Sequence, residues 1–411
     1  MSNRVAISRV RDGDIDSAVR DAVELAGGFE RPVAAGSRVL IKPNLYMGAP
    51  SGSGLVTDAR VVEAVTRLVL SYGPASVVIA EGTMAGCDGE GPARVEALRR
   101  TGVFEVGRRL GVEVRDLDAG AFEEVQIPDA SAIKSVRIAT TVLESDVIIS
   151  VPVLKTHLRT NATLSLKNMK GAMAGVENRN SHRIGVDRVI ADLNTVIRPH
   201  YAIVDATVGM EGTWQIPDDS REMGLIVAGS DPVYVDVVGA SLMNIDPATV
   251  MHLQLVAKQE SKKAALSSVQ VLGEDLATHR RSFRNAFDVF RSRFPQVSVV
   301  LGEGACSGCT AELVSALSCV EKAGAGEQMT GLTVVLGSAP AMMISDKVVA
   351  VGDCASDTAG ATLCVRGCSP DDRQVIHAIC EVCGIDEGRV LSVMQEMHSQ
   401  RWAASASVMQ Q

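Results

Sequence analysis

Four cysteines near the end of the chain have the residue type and spacing to hold a metal cluster. Two residues separate Cys306 from Cys309, forty-four separate Cys309 from Cys354, and thirteen separate Cys354 from Cys368. Each has a glycine within the two preceding residues, where the backbone can turn tightly beside a bulky inorganic core. Because thiolates are the ligands that iron–sulfur centres prefer, the pattern predicts a 4Fe–4S cluster as cofactor.

Structural zinc and buried, inert thiols are the alternatives for these cysteines. Zinc ribbons usually carry two Cys-x-x-Cys pairs, and the thirteen-residue spacing of the second half fits that pattern poorly. A secreted disulfide framework is disfavoured, because the chain is long and opens without a recognisable signal peptide. Cys380 and Cys383 form another Cys-x-x-Cys pair, but their apolar helical context favours a place in the core.

The local context of the four cysteines resembles the small subunit of nickel–iron hydrogenases and its relative in respiratory complex I. In those proteins a Cys-x-x-Cys, a later Gly-x-Cys and a final Gly-Cys-Pro-Pro hold a 4Fe–4S cluster. The same order is found here, with Ser369 in place of the first proline and Pro370 in place of the second. The resemblance covers roughly the last quarter of the chain and implies that Cys306, Cys309, Cys354 and Cys368 are the ligands.

A second candidate site lies in the basic segment from Lys155 to Arg183. It holds six Lys or Arg residues against one acid, in a chain whose formal net charge is −9. Such a local excess of positive charge suits a carboxylate or a phosphate, and a solvated basic loop is the alternative on charge alone. The segment also contains His157 and His182, which could move protons near neutral pH.

Several strings in the first two thirds of the chain resemble the family called domain of unknown function 362. The likeness extends over roughly residues 4–260, and the strings are Ile41–Asn44, Val153–His157, Leu166–Gly171, Asp205–Gly212 and Ser230–Asp236. Members are often linked to ferredoxin-type clusters, so this resemblance agrees with the cysteine pattern. The order of a strand, a Lys/His loop and a later histidine resembles, more loosely, the nickel-pincer lactate racemase family, in which two histidines exchange the α-proton of the substrate.

Composition and patterning predict the fold. An apolar content of 46% with only 3% aromatic residues is typical of α/β proteins with buried parallel sheets. Strand-like and helical patterns alternate from an edge-type strand at Val5–Val10 onward, which predicts a parallel sheet with helices on both faces. The net charge argues against a nucleic-acid partner. No run approaches the roughly 20 apolar residues of a membrane span, so a cytoplasmic location without a membrane partner is expected.

Cysteine usage divides the chain, since eight of nine cysteines follow residue 300. We predict an α/β substrate-binding domain over residues 1–260, a connecting segment over 261–295, and a smaller, flavodoxin-like α/β iron–sulfur domain over 296–411. The carboxyl ends of parallel strands meet at one edge of a sheet, so residues that follow different strands should converge there. The expected catalytic residues are Lys155, His157 and His182, and the expected substrate contacts are Lys42, Asn44, Lys167, Asn168 and Lys170.

Three functions are compatible with these features. The leading hypothesis is an iron–sulfur oxidoreductase that passes electrons to or from a small anionic substrate, with a ferredoxin-type protein as electron donor. The second is a redox-neutral racemase or isomerase that uses His157 and His182 as a pair. The third is a non-enzymatic electron carrier or cluster-delivery protein.

Overall fold

The computed structural model describes residues 2–29, 33–82, 92–212, 214, 217–302, 305, 307–338, 345–367 and 370–407. Within these ranges only the backbone is described at residues 47, 92–94, 176, 179, 182, 183, 286, 287, 290, 307, 308, 311 and 398–407. The chain forms two compact units. Unit 1 comprises Met1–Ser181 and Val186–Arg284, and unit 2 comprises His182–Gly185 and Asn285–Gln411.

The strands of unit 1 form one large sheet and a separate two-stranded sheet, which consists of Phe122–Gln126 and Ser135–Ala139. They are β1 (Arg4–Arg9), β2 (Arg38–Pro43), β3 (Ser76–Glu81), β4 (Glu113–Asp116), β5 (Phe122–Gln126), β6 (Ser135–Ala139), β7 (Val147–Val151), β8 (Val153–His157), β9 (Asn161–Thr163), β10 (Tyr201–Met210), β11 (Ser220–Gly229) and β12 (Gln270–Gly273). Unit 2 adds β13 (Ser298–Leu301), β14 (Thr333–Leu336), β15 (Val348–Val351) and β16 (Leu363–Val365).

Helices follow most of these strands. They are α1 (Ile15–Leu25), α2 (Ala59–Ser71), α3 (Pro92–Arg100), α4 (Val103–Leu110), α5 (Thr140–Leu143), α6 (Ser165–Asn168), α7 (Gly175–Ile184), α8 (Val186–Asn194), α9 (Pro232–Leu242), α10 (Met251–Gln259), α11 (Leu276–His279), α12 (Ala286–Arg293), α13 (Ser307–Lys322), α14 (Asp372–Cys383) and α15 (Glu387–Ser407). Among the described residues, no helix combines the length and apolar character needed to cross a bilayer.

Aspartate side chains cap the N-termini of α1 and α9. Asp14 accepts a hydrogen bond from the Ser17 amide at the start of α1, at 2.9 Å. Asp231 does the same for the Val233 amide, and Pro232 occupies the first turn of α9. These carboxylates satisfy amides that have no partner inside the helix, which explains why the two helices begin at these positions.

The main sheet of unit 1 is mixed rather than purely parallel. In the described part of the chain its order is β12-β1-β11-β10-β7-β2-β3-β4, and β8 with β9 extends it beside β10. Strands β4, β3, β2, β7 and β10 run parallel, whereas β11 is antiparallel to both β10 and β1. The prediction of β1 as an edge strand is wrong, because β1 lies between β11 and β12.

Both faces of this sheet are covered, as predicted for unit 1. Successive residues of one strand enter different cores: Ala6 packs in the core that contains α1 and α2, and Ile7 in the core that contains α9. Residues of a strand alternate between faces, so an apolar run such as Val5–Ile7 indicates burial on both sides. The same alternation places the side chains of β2 in two cores.

Unit 2 has a four-stranded parallel sheet within its described residues, in the order β13-β14-β15-β16. This sequential order differs from the 2-1-3-4-5 order of flavodoxin-like sheets, so the parallel α/β prediction holds at the level of class only. The main segment of the unit begins at Asn285, eleven residues before the predicted boundary. The segment predicted as a connection over 261–295 contains β12, which pairs with β1 and thereby belongs to unit 1.

Candidate functional site

A buried ion pair lies at the end of β2 and β3 in unit 1. Lys42 is fully enclosed, and its Nζ lies 2.7 Å from Oε1 of Glu81, which is 5% exposed. Burial lowers the pKa of Lys42 and raises the pKa of Glu81, and in each case the charge of the partner opposes the shift. We predicted that Lys42 contacts a substrate, but the structure places its ammonium against Glu81.

Gly171, in the turn after α6, packs directly on this ion pair. A Cβ atom at this position would come within 2.7 Å of Lys42 Nζ and would overlap Glu81 Oε1. The absence of a side chain at Gly171 is therefore a requirement of space, and it accounts for the glycine in the string Leu166–Gly171.

We expect Gly171→Ala to lower the free energy of unfolding of unit 1 by about 1–3 kcal/mol, because the added methyl group must displace two charged groups in a packed interior. Urea unfolding measures this. Gly120→Ala is the matched control, since its Cβ would meet only the Leu117 carbonyl at an ordinary 3.6 Å. Equal stability of the two variants would contradict the packing role of Gly171.

Lys155, on β8, has a different environment from Lys42. Its Nζ donates hydrogen bonds to Asn44 Oδ1 and to the Leu55 carbonyl, both at 2.8 Å. It also lies over the rings of Tyr46 and Trp214, at 5.2 and 4.8 Å from their centroids. Burial lowers the pKa of Lys155 from its ordinary 10.5 to about 7, and the more distant charge of Glu81 opposes this shift.

His157 shares a strand face with Lys155 and stacks beside Trp214, with ring centroids 5.3 Å apart. Its Nδ1 accepts a hydrogen bond from the Arg159 amide at 3.0 Å. A neutral imidazole whose Nδ1 is an acceptor carries its proton on Nε2. The geometry therefore presents His157 as a hydrogen-bond donor through Nε2, whereas the predicted acid–base role would require its second nitrogen to give up the Arg159 contact.

An amide pair joins the loop after β2 to helix α6. Asn168 Nδ2 donates to the Lys42 carbonyl at 2.9 Å and to Ser150 Oγ at 3.1 Å. Asn44 Nδ2 reaches Asn168 Oδ1 at 3.4 Å, while Asn44 Oδ1 accepts from Lys155. The predicted residues Lys42, Asn44, Lys155 and Asn168 are thus brought together, and both asparagines serve to hold backbone and lysine groups in place.

Lys167 and Lys170 extend the positive region. Lys170 is buried and Lys167 is partly exposed, with its Nζ 3.1 Å from Thr163 Oγ1. Burial, followed by repulsion from Lys170 and Lys155, lowers the pKa of Lys167 well below its ordinary value. Burial and the charge of Arg159 lower the pKa of Lys170 to about 7. Cations that repel one another in a desolvated region would gain from a bound anion.

Asp236, on α9, fixes the helix that carries Lys167 and Asn168. Its carboxylate accepts hydrogen bonds from the Ser165 amide at 2.8 Å, from the Ser165 hydroxyl and from the Leu166 amide at 3.0 Å. Burial raises the pKa of Asp236 to about 6 despite these donors. This contact gives the string Ser230–Asp236 a positioning function toward the lysine region.

His182 is described by its backbone alone. Its backbone lies in α7, and its side chain is outside the described residues. The predicted pairing of His157 with His182 therefore stays a prediction.

The predicted cluster cysteines follow the carboxyl ends of parallel strands in unit 2. The segment with Cys306 and Cys309 follows β13, Cys354 follows β15 and Cys368 follows β16. Cys306 and Cys368 lie outside the described residues. Carboxyl ends of parallel strands share one edge of the sheet, so the three cysteine-bearing segments leave the sheet on the same side.

Direct contacts join these segments. The Asp353 amide donates to the Gly367 carbonyl at 3.0 Å, and the Gly367 amide donates to Asp353 Oδ1 at 2.9 Å. Gly352 has a φ of +99°, and a Cβ there would lie 2.6 Å from the sulfur of Cys309. Gly352 is thus required both by its backbone conformation and by the thiol beside it.

Among the described residues, no group of three or more His, Cys, Asp or Glu side chains could hold a metal ion. Two of the four predicted cluster ligands are outside that set. Cys380 is 2% exposed and packs in the core of unit 2, where burial raises the pKa of its thiol to about 12. A thiol of this kind remains protonated and inert.

Sequence reasoning did not assign a role to Glu81, Tyr46 or Trp214. Glu81 is a charged residue at the end of a buried strand, and the same feature led to the prediction of Lys42 as a site residue. Trp214 is one of only two tryptophans in the chain, so its rarity could have marked it. Tyr46 had no comparable signal.

The chain is similar to known proteins over part of its length. The chain is 27% identical, over 246 residues, to a thylakoid-associated protein of Synechocystis sp. (strain ATCC 27184 / PCC 6803 / Kazusa), a match that covers 58% of this chain and 73% of the relative. The structure of the lactate racemase apoprotein from Thermoanaerobacterium thermosaccharolyticum aligns with a TM-score of 0.39 and 11% identity. That alignment covers 59% of this chain and 57% of the racemase. The chain thus spans little more than half of the racemase, and the similarity carries no conclusion about activity.

A family model described as "Domain of unknown function (DUF362)" matches residues 39–241. This range contains all five strings that carried the resemblance, from Ile41–Asn44 to Ser230–Asp236, so the predicted family is confirmed. It is narrower than the predicted extent of 4–260. Residues 39–241 of this chain belong to the DUF362 family.

Proposed function

We propose that this protein is an iron–sulfur redox protein whose unit 2 holds a 4Fe–4S cluster and whose unit 1 binds a small anionic substrate. The observation that carries the proposal is the common direction of the segments bearing Cys306, Cys309, Cys354 and Cys368 at one edge of a parallel sheet. Thiolates are suited to iron–sulfur centres, and the side-chain-free Gly352 leaves room beside the Cys309 sulfur. When bound, such a cluster supplies one-electron transfer.

The residues of unit 1 would provide substrate binding. Lys167 and Lys170 lie in a region of low solvent access, where a bound anion would favour their protonated forms. Burial strengthens the attraction of such groups for a carboxylate, because fewer water molecules screen it. Lys42 and Glu81 neutralise each other as a buried ion pair, so we assign substrate binding to the other lysines.

The test is anaerobic purification followed by iron and sulfide analysis and electron paramagnetic resonance of the reduced protein. We expect about four iron atoms and four sulfides per chain. Cys309→Ala and Cys354→Ala should each remove most of the iron, since a thiolate ligand is lost. Cys364→Ala is the matched control, because Cys364 is exposed in the same unit, as Cys354 is, and lies outside the ligand pattern. A full cluster in the Cys354→Ala protein, or stoichiometric zinc in the native one, would refute the proposal.

A redox-neutral isomerase is the second candidate, favoured by the buried Lys155 amine beside His157. Substrate-dependent changes in the cluster spectrum would support the oxidoreductase. Isomerisation that is unaffected by oxidation of the cluster would support the isomerase. Fast electron exchange with a ferredoxin-type protein, without either response, would identify an electron carrier.

A further inference from the structure

The amine of Lys155 is held by neutral hydrogen-bond acceptors rather than by a carboxylate. Its two acceptors, Asn44 Oδ1 and the Leu55 carbonyl, carry no formal charge. Lys42, by contrast, faces a carboxylate at 2.7 Å. A neutral amine has two N–H donors and one lone pair, so the two acceptors at 2.8 Å satisfy its donors and leave the lone pair available.

The aromatic walls suit a nitrogen that alternates between neutral and cationic states. Trp214 and Tyr46 exclude water from the amine, which favours its neutral form. Their π faces also attract a positively charged nitrogen, including one that is bonded to carbon. Buried lysines with these properties act as nucleophiles toward carbonyl compounds.

We propose that the Lys155 amine forms an imine with the carbonyl group of a small carbonyl-bearing anion, such as a 2-oxo acid, bound in unit 1. This inference rests on the anion-binding part of the proposed function and is independent of the cluster. It narrows the substrate class from anions in general to those with a reactive aldehyde or ketone.

The step balances without an oxidant or reductant. The Lys155 lone pair attacks the carbonyl carbon, the carbon–oxygen π electrons move to oxygen, and a proton passes from nitrogen to that oxygen. The resulting carbinolamine takes one proton from solvent and loses water as the carbon–nitrogen double bond forms, giving an iminium ion. Hydrolysis of the iminium ion reverses the sequence.

The experiment traps the imine on the full chain. Native protein is incubated at pH 7 with pyruvate as the probe, reduced with borohydride, digested and analysed by mass spectrometry. We expect modification of Lys155 at least about tenfold above that of the exposed Lys134, Lys258 and Lys263, because a far larger share of its amine is neutral at this pH. Lys42 is an internal control that should remain unmodified.

The outcomes separate this inference from the proposed function. Modification of Lys155 no greater than that of the exposed lysines would show that its contacts only fix the loop at Leu55, and would overturn the inference. Equal trapping of pyruvate and of uncharged acetaldehyde at Lys155 would support the imine but count against the anion site. In the Cys354→Ala protein, borohydride should trap the imine at Lys155 to the same extent as in the native protein. Iron content and imine formation are therefore tested independently.

Discussion

Replacement of Glu81 by glutamine is expected to lower the free energy of unfolding of unit 1 by about 3–5 kcal/mol, because it leaves the fully enclosed ammonium of Lys42 without a counter-charge. The loss has a definite pH dependence. In the variant, the folded-state pKa of Lys42 falls further, since the charge that opposed its lowering is gone. The unfolded state then binds more protons than the folded state up to the ordinary lysine pKa, so the stability of the variant recovers as pH rises toward 10.5.

A double-mutant cycle tests this expectation. Lys42→Met should rescue most of the loss in the Glu81→Gln background, because an apolar chain of similar length removes the unpaired charge. Glu105→Gln is the control, since Glu105 pairs with Arg108 where both side chains are largely exposed. Urea unfolding in a Trp402→Phe background follows unit 1 through Trp214, the remaining tryptophan. Additive losses in the cycle would mean that the two side chains do not stabilise each other.

The stability of unit 1 is also expected to rise steeply with pH between about 7 and 10.5, because of Lys155 and Lys170. Burial lowers the folded-state pKa of each to about 7 from the ordinary 10.5. In this window the folded state has released these protons and the unfolded state still holds them, so each lysine adds up to about 1.4 kcal/mol of stability per pH unit. Below about pH 7 both states hold the protons and the contribution to the slope disappears.

Lys155→Met and Lys170→Met should each reduce the slope of the free energy of unfolding against pH by the contribution of one proton, up to about 1.4 kcal/mol per pH unit. Lys263→Met, at an exposed position, should leave the curve parallel to that of the native protein. Urea unfolding at several pH values between 6.5 and 9.5 measures the slopes. A Lys155→Met curve parallel to the native one would mean that this amine remains protonated in the folded protein.

The sequence indicates those parts of the fold that depend on residues close together in the chain. The capping residues Asp14 and Asp231 indicate where α1 and α9 begin, and apolar runs indicate the strands β2, β3 and β7, because these features depend on neighbouring residues. The mixed character of the sheet was not predictable in this way. β11 follows β10 directly in the chain, but its antiparallel pairing with β1 joins segments that are far apart, for which a single sequence carries no direct signal.

The same distinction applies to the candidate site. The carboxyl-end rule brought Lys42, Asn44 and Lys155 together correctly, since it follows from the parallel arrangement of β2 and β7. The rule does not indicate which lysine would have its charge neutralised by a carboxylate inside the protein. That depends on Glu81, thirty-nine residues from Lys42, and on the space that Gly171 leaves beside the pair.

The position of β1 has a consequence for synthesis of the protein on the ribosome. This strand precedes both of its neighbours, which end at Gly229 and Gly273, so it has no partner until more than half of the chain has been made and lacks the second until about two thirds has been made. Unit 1 can therefore complete its sheet only late in translation. A fragment limited to residues 39–241 would lack β1 and β12 and would present β11 as an unpaired edge, a surface that promotes aggregation.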